Sequence, residues 1–320
     1  MERKDYKINI VGAGLSGLVA ARVLEDHGYA PVIFEASDRV GGRVKTDLVE
    51  GYQLDHGFQV LLNAYQKANQ YLNYEALELQ ELIPGAVIFS EGKTKTLGDP
   101  LRDISMLFPT ISSGIGNVAD KIKILQLNGE LKKKSLQEIF EFKETTTIKY
   151  LEERKFSKDI INKFFRPFFS GIFLEENLNT SSRMFEFIYK MFGEGLAVIP
   201  KKGMGEISRQ LAGNLKATTI RLNTAVKKVE QGKFTLVTGE EIISHFTIIA
   251  SEATPLVSNL KGQEIPWKAC HNLYFEVDER SIEKPLIGLI SDSDALIKNI
   301  FFYISIKTET KGAKQLLSVT

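Results

Sequence analysis

Apolar and polar positions are most legible over the first 60 residues. Lys7-Ile8-Asn9-Ile10-Val11 reads as a short strand that ends in Gly12-Ala13-Gly14-Leu15-Ser16-Gly17. Leu18, Ala21 and Leu24, widened by Val19 and Val23, then form the apolar stripe of a helix, with Gly28 just past it as a stop. Pro31-Val32-Ile33-Phe34-Glu35 reads as a second buried strand, so the pattern predicts a βαβ unit with a right-handed crossover. From about residue 64 to 193 the pattern predicts mostly helix. Ser135-Leu136-Gln137-Glu138 has the spacing of a capping box ahead of Ile139 and Phe140. Ser157 is placed to cap a helix carrying Ile160, Ile161, Phe164 and Phe165, which Pro167 ends or kinks. Met184, Phe187, Ile188 and Met191 share one face of a helix stopped by Gly193. Beyond Gly203, Ile207, Leu211 and Leu215 predict one more helix. Strands are expected at 218–222, 225–229, 234–237, 246–250 and 272–277, with turns at Gly232 and Gly239.

Composition narrows the classes. The 320 residues suit about two domains, and 43% hydrophobic with 25% charged residues is ordinary for a folded globular chain. Lys plus Arg number 41 against 40 Asp plus Glu, so no global basic field exists to hold a nucleic acid. The single cysteine, Cys270, can form neither an internal disulfide nor a cysteine-based metal site, which points to a reducing, cytoplasmic setting. Four histidines without ligand spacing give no expectation of a metal. The N-terminus is charged, and the apolar run after it is too short for a signal-peptide core. Ile300-Phe301-Phe302-Tyr303-Ile304 is far shorter than the roughly 20 residues of a membrane span.

The chemistry lies in the first turn. Gly12 permits the tight turn out of the strand, Gly14 lets the backbone approach a pyrophosphate, and Gly17 lets the helix pack closely on the sheet. The helix N-terminus presents N–H groups to the anion. Glu35, at the end of the second strand, can accept hydrogen bonds from a ribose diol and disfavours a 2′-phosphate. Downstream, Gly41-Gly42 can fold back over the same pyrophosphate, and Arg43 can set its guanidinium fork on the phosphate oxygens.

Val11-Gly12-Ala13-Gly14-Leu15-Ser16-Gly17-Leu18 and Glu35-Ala36-Ser37-Asp38-Arg39-Val40-Gly41-Gly42-Arg43 resemble the flavin amine oxidase superfamily. Its members include monoamine oxidases, protoporphyrinogen oxidase and phytoene desaturases. Leu54-Asp55-His56-Gly57-Phe58-Gln59-Val60 is similar to a bacterial, phytoene-desaturase-like branch, and weaker similarity runs to about Ala253. The resemblance implies an α/β, Rossmann-like FAD-binding domain, discontinuous over 1–63 and 195–258, with an inserted, largely helical substrate domain over 64–194 and 259–320. It implies FAD contacts from Gly12, Ala13, Gly14, Leu15, Ser16, Gly17, Glu35, Ala36, Arg39, Gly41, Gly42 and Arg43. It also implies a backbone contact to adenine near Val226, and places residues 55–58, with Gly57 and Phe58, beside the isoalloxazine ring.

Family members close with a Gly-Asp pair and a further helix N-terminus. Gly288-Leu289-Ile290-Ser291-Asp292 does not fit that pattern, and the sequence ends as though inside a strand. The expectation is therefore a piece of a longer protein, or a site open at the flavin end.

The implied activity is FAD-dependent oxidation of a substrate C–H bond, with a small, lipophilic substrate favoured over an amine. A redox-neutral flavin isomerase and a non-catalytic nucleotide-binding fragment are the alternatives. His56 is a candidate proton acceptor and Asp55 a second candidate, against readings as a packing histidine and a turn aspartate. Phe164-Phe165-Arg166-Pro167-Phe168-Phe169 reads as a core helix, or as the wall of a site for an apolar substrate. Lys132-Lys133-Lys134 reads as a solvated face, or as a peripheral contact with anionic lipid.

Overall fold

A computed structural model describes residues 2–90, 92–98, 114–260, 266–292, 295–303 and 306–320. Its organising element is a four-stranded parallel sheet. Strand β1 (Ile8–Val11) is buried at every position, as expected for a strand covered on both faces. Helix α1 (Leu15–Asp26) buries Gly17, Leu18 and Ala21 and returns the chain to strand β2 (Val32–Phe34). Strands Thr219–Arg221 and Phe246–Ile249 complete the sheet on either side, beyond β2 and β1 respectively. The register pairs Val11 with Phe34 and Ile249, and Phe34 with Arg221. The carboxyl ends of all four strands therefore lie along one edge of the sheet, where open α/β sheets bind ligands. The predicted βαβ unit and the returning strand at 246–250 are both present.

An antiparallel three-stranded sheet over 226–243 packs beside β2 through Phe34 and Phe234, whose rings lie 4.9 Å apart. The predicted helix around Ile207 and Leu211 spans Gly205–Gly213, and Leu215 packs against the core just beyond it.

The region 64–193 differs from its mostly helical expectation. Strands Leu79–Glu81, Gly85–Ser90 and Lys93–Gly98 lie between the short helix Gln66–Tyr71 and the helices from 118 onward. Gly85–Ser90 pairs in parallel with Ile287–Ile290, inside a six-stranded sheet that also holds Leu273–Val277, Asn299–Phe302 and Gln315–Val319. A short apolar run such as Ala86-Val87-Ile88-Phe89 cannot be assigned by periodicity, and its partner lies far along the chain. The helices from 118 onward follow the sequence more closely. Ser135 and Glu138 form the expected capping box, and the Ser157 hydroxyl accepts the Ile160 N–H. Pro167 neither ends nor breaks the helix. A π-turn over Ile161–Phe165 runs directly into Arg166–Phe173, whose first turn carries Pro167, so the widened turn accommodates the ring and the missing N–H without ending the helix.

Phe165, Phe169 and Phe185 are fully buried together, so the aromatic stretch forms the core of the helical unit. The helix Ser182–Glu194 runs through Gly193 and is capped at Gly195. Its buried side carries Phe185, Glu186 and Lys190, whereas Met184 is exposed. The stripe moves because Glu186 and Lys190 are buried with partners. Glu186 accepts from the Tyr150 hydroxyl at 2.6 Å and from Lys134 at 3.0 Å, and Lys190 donates to the Leu131 carbonyl at 2.8 Å. No described helix is long and apolar enough to cross a membrane.

Candidate functional site

The site forms where β1, β2 and the two outer strands end. Gly12 has φ +105°, and its N–H donates to the Phe34 carbonyl at 2.8 Å, tying the first turn to β2. A Cβ at Gly17 would stand 2.0 Å from the Gly12 carbonyl oxygen, so α1 and the turn touch only because position 17 has no side chain. Leu15 and Ser16 open α1 and are exposed, with Gly14 as cap; no side chain satisfies this helix end.

Gly41-Gly42 folds directly onto that turn. The Gly41 N–H donates to the Ala13 carbonyl at 2.9 Å, and Gly41 bridges to Gly14. A Cβ on Gly42 would lie 3.2 Å from the Gly14 Cα. Both glycines have positive φ, +124° and +59°. Two backbone turns therefore meet with no side chain between them at an uncapped helix N-terminus. The cradle suits a diphosphate, and a Cβ at Gly42 would crowd it.

Glu35 is half-buried behind this pair. Its Oε2 accepts the Ala13 N–H at 2.7 Å, and its Oε1 accepts the Ser37 N–H at 2.9 Å and the Ser37 hydroxyl at 2.7 Å. Burial opposes the charge, but these donors and the neighbouring Lys45 ammonium outweigh it and hold the carboxyl below the usual carboxylate range. Three of about four acceptor directions are used, which leaves Oε2 able to take a hydroxyl. Ala36 is exposed beside it. The Thr224 N–H donates to the Glu35 carbonyl at 2.8 Å, bringing Val226 alongside; Val226 packs with Phe34 and Phe234.

Arg39 and Arg43 part company. Arg39 pairs with Asp47, whose other oxygen bonds His56 Nε2 at 2.8 Å. The Arg39 and His56 hydrogen bonds hold the Asp47 carboxyl below its usual range. Arg43 is exposed directly after Gly42, and its guanidinium carbon lies 5.5 Å from the centre of the Trp267 ring.

The loop 55–58 starts from a buried carboxylate. Asp55 Oδ1 accepts from the Thr46 hydroxyl and from the Met204 N–H at 2.9 Å, while Oδ2 faces the Tyr303 hydroxyl at 3.4 Å. Burial prevails over these bonds and over the nearby His56, pushing the Asp55 carboxyl up. The Tyr274 hydroxyl donates to the Asp55 carbonyl at 2.8 Å; burial of that phenol pushes it up to about 12. Gly57 follows with φ +97°, and Phe58 rests against Phe301 at 4.9 Å. Among the described residues no cluster of three metal-ligating side chains occurs.

The structure thus gathers Gly12, Ala13, Gly14, Leu15, Ser16, Gly17, Glu35, Gly41 and Gly42 in one cradle. It sets Val226 at its side and turns Arg39 and His56 toward Asp47. Sequence reasoning passed over Ser37, Thr46, Asp47, Trp267, Tyr274 and Tyr303. Ser37 had a local signal, a hydroxyl two residues after a carboxylate. The others meet the site only through tertiary contacts.

The family model for flavin-containing amine oxidoreductases matches residues 15–284. The L-amino-acid oxidase BmooLAAO-I of Bothrops moojeni is 32% identical over 151 residues, covering 45% of this chain and 28% of that protein. Protoporphyrinogen oxidase 2 of Arabidopsis thaliana is 25% identical over 170 residues, covering 52% and 32%. These alignments span under a third of each relative. A crystal structure of an oxidoreductase from Methanosarcina mazei superposes with a TM-score of 0.70 at 18% identity, covering 98% of this chain and 78% of the other, a likeness of fold.

Proposed function

We infer, because this chain belongs to the flavin-containing amine oxidoreductases, that it is the FAD-binding part of an oxidoreductase acting on a C–H bond of a small, hydrophobic substrate. The cofactor is FAD. The observation that carries the reading is the meeting of Gly14 with Gly41-Gly42 at the uncapped start of α1. Bound there, FAD would supply the hydride-accepting ring. The protein's share is placement. Residues 12–17 and 41–42 would hold the diphosphate, and Glu35, already oriented by Ala13 and Ser37, would hold the ribose diol. Arg43 would neutralise phosphate charge, and the Val226 backbone would meet the adenine. Gly57 and Phe58 would lie against the ring system, backed by Phe301, Tyr303 and Tyr274, which supports an apolar substrate face. Asp55, buried and engaged, fits a structural role better than proton transfer. His56, held by Asp47, is the remaining titratable group at that loop.

The test is retention of flavin. The purified chain is expected to show a flavin absorption band that survives gel filtration and is lost in the Glu35→Ala, Arg43→Ala double variant. A colourless wild type that takes up no added FAD would overturn the reading, and flavin retained by the double variant would overturn the roles of those two residues.

A further inference from the structure

We propose that Trp267 is a positioning residue of the diphosphate site, which holds the Arg43 guanidinium in the orientation that a phosphate requires. The inference rests on the reading of Arg43 as a phosphate ligand. Trp267 is the chain's one tryptophan. It is 62% exposed, an uncommon setting for a residue whose usual worth is buried area. Its ring lies 5.5 Å from the Arg43 guanidinium carbon, in cation–π range.

The geometry separates two uses of one group. A guanidinium is planar; its faces stack on aromatic rings, and its N–H donors point outward in the plane. The guanidinium carbon lies over the Trp267 ring, and a stacked arrangement there would leave the in-plane fork free for phosphate oxygens. Arg43 needs such a support. It follows two positive-φ glycines on an exposed turn, and its long side chain would otherwise lose rotamer freedom on binding. Its carbonyl is already fixed by Gln59 Nε2 at 3.3 Å, so Trp267 restrains the free end of a residue anchored at its backbone.

The experiment titrates ADP and, separately, adenosine against the full chain, using Trp267 emission for the wild type and calorimetry for the Trp267→Ala and Trp267→Phe variants. Wild-type emission should change on ADP binding. Trp267→Ala should weaken ADP binding about two- to fivefold, the worth of an exposed cation–π contact. Trp267→Phe should retain most of the affinity, and adenosine, which lacks the diphosphate, should bind all three proteins alike. Equal ADP affinity in Trp267→Ala, or an equal loss for adenosine, overturns the proposal while leaving the cradle intact. Failure of the wild type to bind ADP at all overturns both.

Discussion

At position 17 a single methyl decides whether α1 can sit on the sheet. Its Cβ would stand 2.0 Å from the Gly12 carbonyl oxygen and 3.4 Å from the Ala250 side chain, and neither backbone can retreat without opening the turn. Gly17→Ala is expected to cost roughly 3 kcal/mol or more, the upper range for overpacking, measured by urea denaturation. Gly129 gives the opposite sign. It lies exposed in the helix Val118–Lys133 with nothing within 4 Å of a Cβ. Gly129→Ala should therefore stabilise by about 0.5–1 kcal/mol in the same assay. At this scale the glycines of the first turn and Glu35 were legible, because their spacing encodes a backbone requirement. Trp267 was not, since nothing in its neighbourhood announces that it faces Arg43.

Among the elements, the helical unit turns on a buried polar group. Glu186 is 2% exposed and accepts from Tyr150 and Lys134. Tyr150→Phe would take away the phenol donor without opening a cavity and is expected to cost about 1–3 kcal/mol. The check is thermal unfolding of the variant beside the wild type. Burial and the Glu186 charge raise the Tyr150 hydroxyl above its ordinary value. A raised group contributes its full stability below its ordinary value and loses it progressively as pH climbs from there toward the folded value. Stability should therefore begin to fall as pH rises past about 10, and Tyr150→Phe should lack that fall. Sequence patterning found the caps at Ser135 and Ser157 because a capping box is local. It misplaced the buried face of Ser182–Glu194 because Glu186 and Lys190 count as polar until their partners on other helices are known.

For the molecule as a whole, Asp55 is the junction. Its carboxyl joins the strand Thr46–Val49, which pairs with Tyr52–Asp55, to the start of the helix Gly205–Gly213 at Met204 and to the end of the six-stranded sheet at Tyr303. Asp55→Ala leaves three donors unmatched and is expected to cost about 2–4 kcal/mol. Asp55→Asn keeps an acceptor at the Oδ1 position, where two of the bonds converge. Burial raises the wild-type carboxyl, so the protein should lose stability as pH rises through that raised value, above the ordinary carboxylate range. The Asn variant should lack this slope in urea titrations repeated across pH. The sheets were the least legible level, as pairings such as Ala86 with Ile287 leave no local trace. The same interleaving bears on synthesis. A nascent chain carries β1 with one bare edge until residues 246–249 emerge, and Gly85–Ser90 gains its parallel partner only later, when Ile287–Ile290 emerges. Closure of both units is thus deferred until those distant strands have been made, leaving unsheltered strand edges that recruit chaperones and invite mispairing.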